Sequence, residues 1–588
     1  MLTKVVCKAL ATMPRFHTII ILLSGLFGSL VDAANSTIYN PIFPGFYPDP
    51  SCIFVPERDN TFFCASSSFN AFPGIPIHAS KDLQNWKLIG HALNRKEQLP
   101  RLAETNRSTS GIWAPTIRFR HDTFWVVTTL VDDDRPQTDE SRWDNIIFKA
   151  KDPADDKSWS VAKHFELVGY DPEPFWDVDA SEGGSGRVYI NAAHAWQVGP
   201  YIVQAEIDLE TGKLLSEWSV IWNGTGGLAP EGPHIYLKDG WYYLLAAEGG
   251  TGVNHMVTMA RSKSVSGPFE SFEGNPVLTN ANTTSLFQTV GHADVFQDGN
   301  ENWWAVALST RSGPEYVHYP MGRETVLTAV KWDEGEFPVF TPISGEVSVW
   351  ELPESANTIS PESINSPATE VLTFSPGTNL PGHLLHWRYP NPEHFAVSPE
   401  GYENTLRLSP SNINLTALNG NYAGPGGQSF VARRQQHTLF TFSVDLDFNP
   451  TKLEEEAGVT AFLTQNHHLH MGIVLLPEQT GGGLIPHVRF RGESYVPVPK
   501  PVVVPVEEEW RGKTLTLEIR ARNETHFEFG VGLKGNDTKT VGVGGNEVVS
   551  WGFTGTLLGI YSTNNGKGGT TPGYFSNWRY VPQGQFRG

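Results

Sequence analysis

The sequence predicts an all-β protein, a five-bladed β-propeller followed by a C-terminal β-sandwich. Three observations lead to this prediction. Similar short segments recur five times in the first part of the chain, and strand-like alternation with frequent turns continues to its end. Glycine and proline are abundant (57 and 42 residues), while only 18% of the residues are charged. A composition this rich in turn residues suits many strands rather than helices.

The repeated segments begin at Asp49, Ala114, Asp171, Glu231 and His292, at intervals of 65, 57, 60 and 61 residues. After each start come an apolar strand, a turn and an aromatic-rich strand. A fixed period of several strands is typical of a β-propeller, in which each repeat forms one four-stranded blade. The predicted propeller covers residues 38–350. The aromatic-rich strands read TFFCASSS (61–68), TFWVVTTL (123–130), RVYINAAH (187–194), WYYLLAAE (241–248) and NWWAVALS (302–309).

Three of the five starts are carboxylates, which we interpret as occupying equivalent positions in their repeats. The innermost strands of a propeller begin at one end of the central channel. Asp49, Asp171 and Glu231 are therefore expected to converge there with Trp113 and His292. Such a cluster is costly, because like charges repel and burial disfavours ionisation, and it is most readily retained for acid–base chemistry. Taken singly, each aspartate is equally compatible with an ordinary turn beside proline.

The second half of the chain no longer follows this period. Residues 351–369 are rich in Pro, Ser and Glu, which predicts a linker laid along the surface. Residues 370–588 alternate like strands between frequent turns, which predicts the β-sandwich. His467, His468 and His470 resemble a metal site at first sight. Because no Cys or acidic residue stands beside them in sequence, we interpret them as ordinary strand residues and predict no metal ligands.

The charge balance argues against two classes of partner. The 588 residues carry a formal net charge of −20, the isoelectric point is about 5.4, and no basic run is visible. Nucleic acids and anionic membrane surfaces attract basic patches, so neither is expected as a partner.

The N-terminus reads as a secretory signal peptide, residues 1–33. The apolar run over residues 18–30 is too short for a usual membrane span, and Val31 and Ala33 suit the small positions before a cleavage site. A signal anchor is the alternative interpretation. Translation starts at either Met1 or Met13, because the stretch before the apolar run is long. We therefore expect a secreted, extracellular protein.

The expected secretion determines how we interpret the cysteines and the glycosylation sequons. Removal of the signal peptide takes Cys7 away, and the remaining Cys52 and Cys64 fall on the first two strands of blade one. Facing positions of a hairpin can satisfy disulfide geometry, so we predict that these two are bridged. Seven glycosylation sequons indicate a glycoprotein. They begin at Asn35, Asn106, Asn223, Asn282, Asn414, Asn523 and Asn536.

A series of short motifs runs through the predicted propeller. It comprises NP (40–41), GFYPDPS (45–51), FPGIPIH (72–78), SKDL (80–83), GIWAP (111–115), EGPHIY (231–236), AEGGT (247–251), GH (291–292) and MGRET (321–325). In residues and order, the series resembles glycoside hydrolase family 43, and within it the two-domain branch of β-xylosidases and α-L-arabinofuranosidases. The match spans the whole propeller and is weaker in the sandwich.

The resemblance implies an inverting mechanism. By motif, Asp49 matches the general base that activates water, Glu231 the general acid, and Asp171 a third acid that tunes and orients the general acid. Inversion needs acid and base on opposite sides of the sugar, roughly 6.5–9.5 Å apart. An ionised Asp171 nearby would raise the pKa of Glu231 and keep it protonated.

The resemblance also implies residues that bind the sugar. Phe69 and Trp113 match positions that wall the terminal sugar subsite, and Arg323 matches an arginine that contacts sugar hydroxyls. Arg323 could equally form a structural pair with Glu324. His292 matches a histidine that in some relatives helps to hold a central ion or water. A structural Ca²⁺ at the propeller axis is therefore one expectation, and no essential cofactor is expected.

Two departures from the family pattern leave the shape of the sugar pocket open. Ala71 replaces a bulky aromatic residue often found before the FPG motif, and Asp171 is followed by PEP rather than by small or apolar residues. Glu173 is therefore a rival for the role of third acid.

The implied activity is an exo-glycosidase that removes β-1,4-linked xylose from xylo-oligosaccharides. The first alternative is an α-L-arabinofuranosidase acting on arabinoxylan fragments. A non-catalytic sugar-binding propeller would not need all three acids. An invertase-like fructosidase would open blade one with a different motif.

Overall fold

The computed structural model describes residues 36–177, 186–353, 360–418, 420, 426–478 and 481–588. The predicted signal peptide and residues 354–359 of the predicted linker lie outside this set. Within it, none of the helices is long and apolar enough to cross a membrane. The helices are short 3-10 turns at Pro56–Arg58, Lys96–Gln98, Pro100–Glu104, Glu140–Arg142, Asp156–Ser158, Pro392–His394, Glu508–Trp510 and Asn546–Val549.

The N-terminal part of the chain is built from short antiparallel strands. Their apolar and aromatic residues form the buried clusters between neighbouring sheets. The strands are β1 (Thr37–Tyr39), β2 (Ser51–Val55), β3 (Thr61–Ala65), β4 (Ala71–Phe72), β5 (Gly74–Ser80), β6 (Lys87–Leu93), β7 (Gly111–Arg120), β8 (Thr123–Val131), β9 (Trp143–Ala150), β10 (Lys163–Phe165), β11 (Gly169–Asp177), β12 (Arg187–His194), β13 (Ile202–Asp208), β14 (Lys213–Leu214), β15 (Ser219–Trp222), β16 (Glu231–Lys238), β17 (Trp241–Glu248), β18 (Met256–Ser262), β19 (Glu270–Ser271), β20 (Phe287–Gln297), β21 (Trp303–Arg311), β22 (Glu324–Lys331), β23 (Val339–Phe340) and β24 (Glu346–Ser348).

These strands form successive sheets arranged in a ring. In the described residues up to 353, the sheets are β2-β3-β5-β6, β7-β8-β9-β10, β11-β12-β13-β14 with β15 beside β13, β16-β17-β18-β19 and β20-β21-β22-β23. The first strand of each sheet contacts the first strand of the next, and β20 returns to contact β2. β1 pairs with β24, which joins the two ends of the region. This is the arrangement of a β-propeller, with its first strands around the axis.

The C-terminal part forms two stacked sheets, as the alternation predicts. One has the order β27-β28-β39-β30-β35-β36-β37, with β25 beside β39, and the other β29-β38-β31-β32-β33-β34. An apolar core that includes Phe442, Val459 and Trp578 fills the space between them. The strands are β25 (Glu370–Leu372), β26 (His386–Trp387), β27 (Phe395–Val397), β28 (Leu406–Leu408), β29 (Ser429–Arg434), β30 (Leu439–Asp447), β31 (Glu456–Thr464), β32 (His467–Pro477), β33 (Leu484–Glu493), β34 (Val502–Pro505), β35 (Leu515–Ala521), β36 (His526–Leu533), β37 (Lys539–Gly545), β38 (Leu557–Thr563) and β39 (Gly573–Gly584).

The sandwich and the propeller share a packed interface. β26 pairs with β4 of the propeller, and an apolar cluster joins Phe46 and Phe69 to Trp387 and Phe462. The described end of the predicted linker also lies on the propeller, where the backbone N–H of Ile364 donates to Trp86 O (2.8 Å). The propeller and the sandwich therefore contact each other directly and are not connected only by a flexible linker.

Two sequence predictions concern residues outside the pocket. Cys52 and Cys64 face each other on β2 and β3 and form a disulfide. His467, His468 and His470 lie buried on β32. Arg491 Nε donates to His470 Nε2 (2.7 Å), so His470 already has a cationic neighbour where a metal would need a free ligand.

Candidate active site

The first strand of each propeller sheet begins at or next to a residue with a left-handed backbone, which Asp, Asn, His and Gly tolerate best. On β7, β11, β16 and β20 this residue opens a two-residue bulge that interrupts the pairing, while in the first sheet Asp49 lies just before β2. Bulges of this kind re-aim side chains toward a site. The left-handed residues are Asp49 (φ 52°), Ala114 (φ 29°), Asp171 (φ 55°), Gly232 (φ 56°) and His292 (φ 50°), and the register shifts follow Trp113, Tyr170, Glu231 and Gly291.

This geometry corrects one element of the sequence interpretation. Asp49 and Asp171 do occupy equivalent positions, but Glu231 lies one residue earlier in its repeat, where Trp113 and Tyr170 stand in theirs. Gly232 takes the left-handed position, because a long side chain is disfavoured there. Each repeat can therefore supply two consecutive residues to the axis, which the sequence period alone did not reveal.

The predicted residues meet in one pocket at the end of the ring. Its wall includes all seven of the residues singled out from the sequence, which confirms that they converge. Three further residues were not foreseen: Tyr170 and Thr251 of the propeller, and Phe553 of the sandwich. The lining consists of Asp49, Phe69, Trp113, Tyr170, Asp171, Glu231, Thr251, His292, Arg323 and Phe553.

Asp49 is held by a fixed set of donors. Arg323 Nη1 donates to Asp49 Oδ1 (3.0 Å), and Ser67 Oγ donates to Asp49 Oδ2 (2.5 Å). His292 Nδ1 stands 3.9 Å from Oδ1. Burial lowers the pKa of His292, so this ring is neutral at neutral pH. These contacts fix the orientation of the Asp49 carboxyl group at the end of the ring.

Arg323 lines the pocket and does not form an ion pair with Glu324. The carboxylate of Glu324 is taken instead by Arg311, which donates from Nε (2.7 Å) and Nη2 (2.8 Å). Arg323 is left free to contact Asp49, and its Nε donates to the carbonyl of Phe553 (3.0 Å). One guanidinium therefore connects the candidate base to the sandwich.

Glu231, which is half-buried, and Asp171, which is buried, form a pair of neighbouring acids. Burial raises the pKa of Glu231 to about 7; the Tyr170 hydroxyl, which donates to Glu231 Oε2 (3.1 Å), opposes this rise, and the charge of Asp49 adds to it. Burial and then the charges of Glu231 and Asp49 raise the pKa of Asp171 well above its usual range, against the Gly232 N–H that donates to Asp171 Oδ2 (3.1 Å). Burial is therefore a larger cause than the charge of Asp171. The pair titrates as a unit and retains a proton near neutral pH.

Aromatic side chains complete the wall. Phe553 stacks on Phe69 with ring centres 5.9 Å apart, and its ring stands nearly edge-on to Trp113, also at 5.9 Å. Its loop reaches the propeller because of Gly322, whose φ is +69° and where a Cβ would lie 1.9 Å from Thr554 O. Only glycine allows that approach. The sandwich thus supplies a wall of the pocket.

Both departures from the family pattern are accounted for by packing. Ala71 is buried beneath Trp387, with which it pairs through β4 and β26, and it does not line the pocket. Glu173 lies two residues below Asp171 on β11, where Asn191 Nδ2 donates to it (2.7 Å). It is buried under the pocket wall, so Asp171, and not Glu173, faces the substrate space.

The residues at the axis do not fit a Ca²⁺ ion. Calcium takes six to eight oxygen ligands at 2.3–2.6 Å. In the part of the chain that is described, no group of three or more His, Cys, Asp or Glu residues is arranged to hold a metal. Just below the pocket, the guanidinium of Arg118 lies against Asp294 (Nη1 to Oδ2, 2.8 Å). A cation supplied by the chain itself therefore stands where a central ion is expected.

The Tyr170→Phe variant is expected to shift the alkaline limb of the pH profile upward. The Tyr170 hydroxyl stabilises ionised Glu231, so its removal raises the pKa of Glu231 above about 7. A group with a raised pKa is protonated below that value, so activity that needs the proton then persists to higher pH. The pH dependence of kcat measures this. Tyr243→Phe is the matched control, because that buried hydroxyl has no hydrogen-bond partner among the described residues. A limb that stays in place or moves down contradicts the assignment.

The Phe553→Ala variant is expected to lower kcat/KM about 30-fold, because the apolar contact that this ring offers to a bound sugar is worth about 2 kcal/mol and its loss admits water beside the acids. Kinetics on a disaccharide substrate, with melting temperature as a check on folding, measure the effect. Phe586→Ala is the control, since Phe586 is 46% exposed. Equal kinetics for the two variants would mean that the sandwich does not contribute to the site.

Comparison with known proteins agrees with this geometry. The profile of "Glycosyl hydrolases family 43" matches residues 38–338, and that of the "Beta xylosidase C-terminal Concanavalin A-like domain" matches residues 373–581. The chain is 33% identical to a non-reducing end α-L-arabinofuranosidase of Bacteroides ovatus, over 95% of this chain and 97% of that one. It is 31% identical to a xylosidase/arabinosidase of Butyrivibrio fibrisolvens, over 90% and 96% of the two chains.

A solved structure of a similar protein has the same overall fold. The crystal structure of a xylan β-1,4-xylosidase from Bacillus halodurans superimposes with a TM-score of 0.78 at 27% identity, covering 92% of this chain and 100% of that one. The two profiles cover residues 38–338 and 373–581, and the superposition shows the same fold over most of the chain. The protein is a glycoside hydrolase and belongs to glycoside hydrolase family 43.

Proposed function

We propose that this hydrolase is an inverting exo-β-xylosidase, which removes terminal β-1,4-linked xylose from xylo-oligosaccharides during xylan breakdown. The observation that carries the proposal is the pocket itself: three carboxyl groups, of Asp49, Asp171 and Glu231, lie behind a wall made by Phe69, Trp113 and Phe553. A wall contributed by a second domain favours entry of a chain end over passage of an uninterrupted chain. The wall therefore supports exo action.

The proposed mechanism gives each carboxyl group one task. Asp49 removes a proton from a water molecule, whose oxygen attacks the anomeric carbon. Glu231 donates its proton to the glycosidic oxygen as the bond to the leaving sugar breaks, and the configuration at the anomeric carbon inverts. Asp171 shares the proton of the pair and orients Glu231 through Gly232. Arg323 holds Asp49 in place and is available to the sugar hydroxyls.

The aromatic wall supports xylose as the sugar. Flat rings on the pocket wall suit a pyranose that carries no exocyclic hydroxymethyl group, whereas arabinofuranose has such a group and needs more room. The small residue Ala71 does not supply that room, because Trp387 covers it. No cofactor takes part in the proposed steps.

The alternative, an α-L-arabinofuranosidase that releases arabinose side chains from arabinoxylan, is favoured by a different observation. The relative from Bacteroides ovatus, which matches over almost its whole length, is named for that activity, while the relative from Butyrivibrio fibrisolvens is named for both. Xylopyranose and arabinofuranose can present similar hydroxyl geometry, so one pocket can accept either.

Product analysis separates the two activities. Xylobiose and arabinoxylan oligosaccharides are incubated in parallel with the enzyme, alongside p-nitrophenyl β-xyloside and α-arabinofuranoside. We expect xylose from xylobiose at a higher kcat/KM than arabinose from the branched oligosaccharides. Release of arabinose with xylobiose untouched would assign the alternative activity. Nuclear magnetic resonance of the fresh product tests inversion, because the first xylose formed must be the α-anomer.

We also propose a setting and an architecture for this activity. The protein is secreted and glycosylated, which is supported by the disulfide and by the exposure of Asn223, Asn282, Asn523 and Asn536. Its catalytic domain, residues 38–350, is a five-bladed propeller joined by residues 351–369 to a sandwich of residues 370–588. The ring of contacts between first strands supports the blade count.

A further inference from the structure

A single guanidinium connects all of the sheets of the ring below the pocket. Arg118 extends from β7 of the second sheet. Its Nη1 donates to Ser51 Oγ of the first sheet (3.1 Å) and to Asp294 Oδ2 of the last (2.8 Å). Its Nη2 lies 3.0 Å from His234 Nδ1 and 3.5 Å from Glu173 Oε1. It therefore reaches one residue from each of the other four sheets of the ring.

These partners form a layer directly under the catalytic one. Ser51, Glu173, His234 and Asp294 each lie two residues along their strands from the left-handed residue at the pocket. Two residues along a strand return to the same face. The layer below the acids consequently contains two more buried carboxyl groups, Glu173 and Asp294, which are 1% and 0% exposed.

The positive charge of Arg118 offsets the cost of burying the carboxyl groups of this layer. Burial by itself would raise the pKa of Asp294, but Arg118 outweighs it and lowers that pKa to about 2. Burial raises the pKa of Glu173 to about 7, and Arg118 restrains the rise. The other groups that face the guanidinium are His234, which burial keeps neutral, and Tyr236, whose hydroxyl donates to Asp294 Oδ1 (2.8 Å). Buried charges without such a partner are strongly destabilising.

We propose that the Arg118 guanidinium is a built-in axial cation, which takes the place of a bound divalent ion beneath the catalytic carboxylates. It ties the sheets together at the axis and offsets the negative charge below Asp49 and Asp171. The enzyme is then independent of divalent metals. The inference rests on the proposed function only through those carboxylates, so its stability readouts need no substrate.

The test uses the full-length enzyme and Arg118→Ala, which leaves a space that free guanidinium can refill. A cavity at the far end of the channel, lined by Ile53, Arg118 and Phe296, provides the route. We expect the melting temperature of Arg118→Ala to fall by roughly 5–15 °C. Its kcat/KM should fall at least about tenfold. Millimolar guanidinium chloride should restore part of both losses, while equimolar NaCl should not. Arg120→Ala, exposed on the same strand, should resemble wild type.

Two further measurements decide the proposal even if Arg118→Ala does not fold. Dialysis of wild type against EDTA should leave melting temperature and kcat/KM unchanged, and elemental analysis should find less than one Ca²⁺ per chain. Arg118→Lys, which keeps the charge, should fold and be more stable than Arg118→Ala. A Ca²⁺ requirement of wild type overturns the proposal, and so does an Arg118→Lys variant no better than Arg118→Ala. An Arg118→Ala variant with wild-type stability, or without guanidinium rescue, also overturns it.

Discussion

The Asp49→Asn variant is expected to lose roughly a thousandfold or more in kcat while remaining folded. The amide has the size of the carboxylate but cannot take a proton from water, so the attacking oxygen is no longer activated. Asparagine tolerates the left-handed backbone at this position, where φ is 52°. Asp122→Asn is a matched control, since Asp122 has a φ of 55° but lies exposed in a turn.

Rescue of activity by azide distinguishes the loss of the general base from damage to the pocket. Asp49→Gly keeps the backbone conformation and opens space beside the anomeric carbon. Azide needs no deprotonation, so it can attack the aryl glycoside that wild type hydrolyses, while Glu231 protonates the leaving oxygen. An inverting enzyme then yields a glycosyl azide of inverted configuration, visible by nuclear magnetic resonance. An Asp49→Asn variant with near-normal kcat, or an azide product with retained configuration, would contradict the base assignment.

The Glu231→Gln variant is expected to lose activity according to the leaving group. On xylobiose, whose leaving alkoxide needs a proton, kcat should fall roughly thousandfold. On a 2,4-dinitrophenyl glycoside, whose leaving group departs without protonation, the loss should be less than about tenfold. The alkaline limb near pH 7, set by the raised pKa of Glu231, should disappear with the carboxyl group.

Two outcomes of this experiment would contradict the assignment of Glu231 as the general acid. Equal losses on the two substrates would mean that Glu231 acts in binding or folding rather than as the acid. An alkaline limb that survives in Glu231→Gln would assign the titrating proton to Asp171, its partner in the pair. Because both substrates are compared with one preparation of enzyme, a folding defect cancels from the ratio.

The sequence by itself determined most of the fold and the chemistry of the site. The period of about 60 residues reflects one sheet per repeat, because each repeat must bury its aromatic strands against its neighbours. Cys52 and Cys64 fall on paired positions of a short hairpin, so local geometry was sufficient to predict their bridge. The convergence of Asp49, Asp171 and Glu231 followed from topology, since first strands surround one axis.

Only the tertiary structure decided the details that depend on side chains from distant parts of the chain. Glu231 is offset by one residue, because a bulge changes which residue faces the axis without changing the period. Phe553 enters the pocket from 230 residues beyond Arg323, and Trp387 covers Ala71. No sequence pattern relates such pairs, since the contacts arise from how two separately patterned parts pack together.

Tyr170 and Arg118 illustrate the difference between what the sequence predicts and what only the packed structure shows. Tyr170 could have been found from the sequence, because it directly precedes Asp171 as Trp113 directly precedes Ala114 in its own repeat. The place of Arg118 could not, because a charged residue on an inner strand can face the channel or a neighbouring sheet, and only the packed ring places its guanidinium against Asp294 and Glu173. Strand periodicity determines which residues approach the axis, whereas packing across the axis determines which charges meet there.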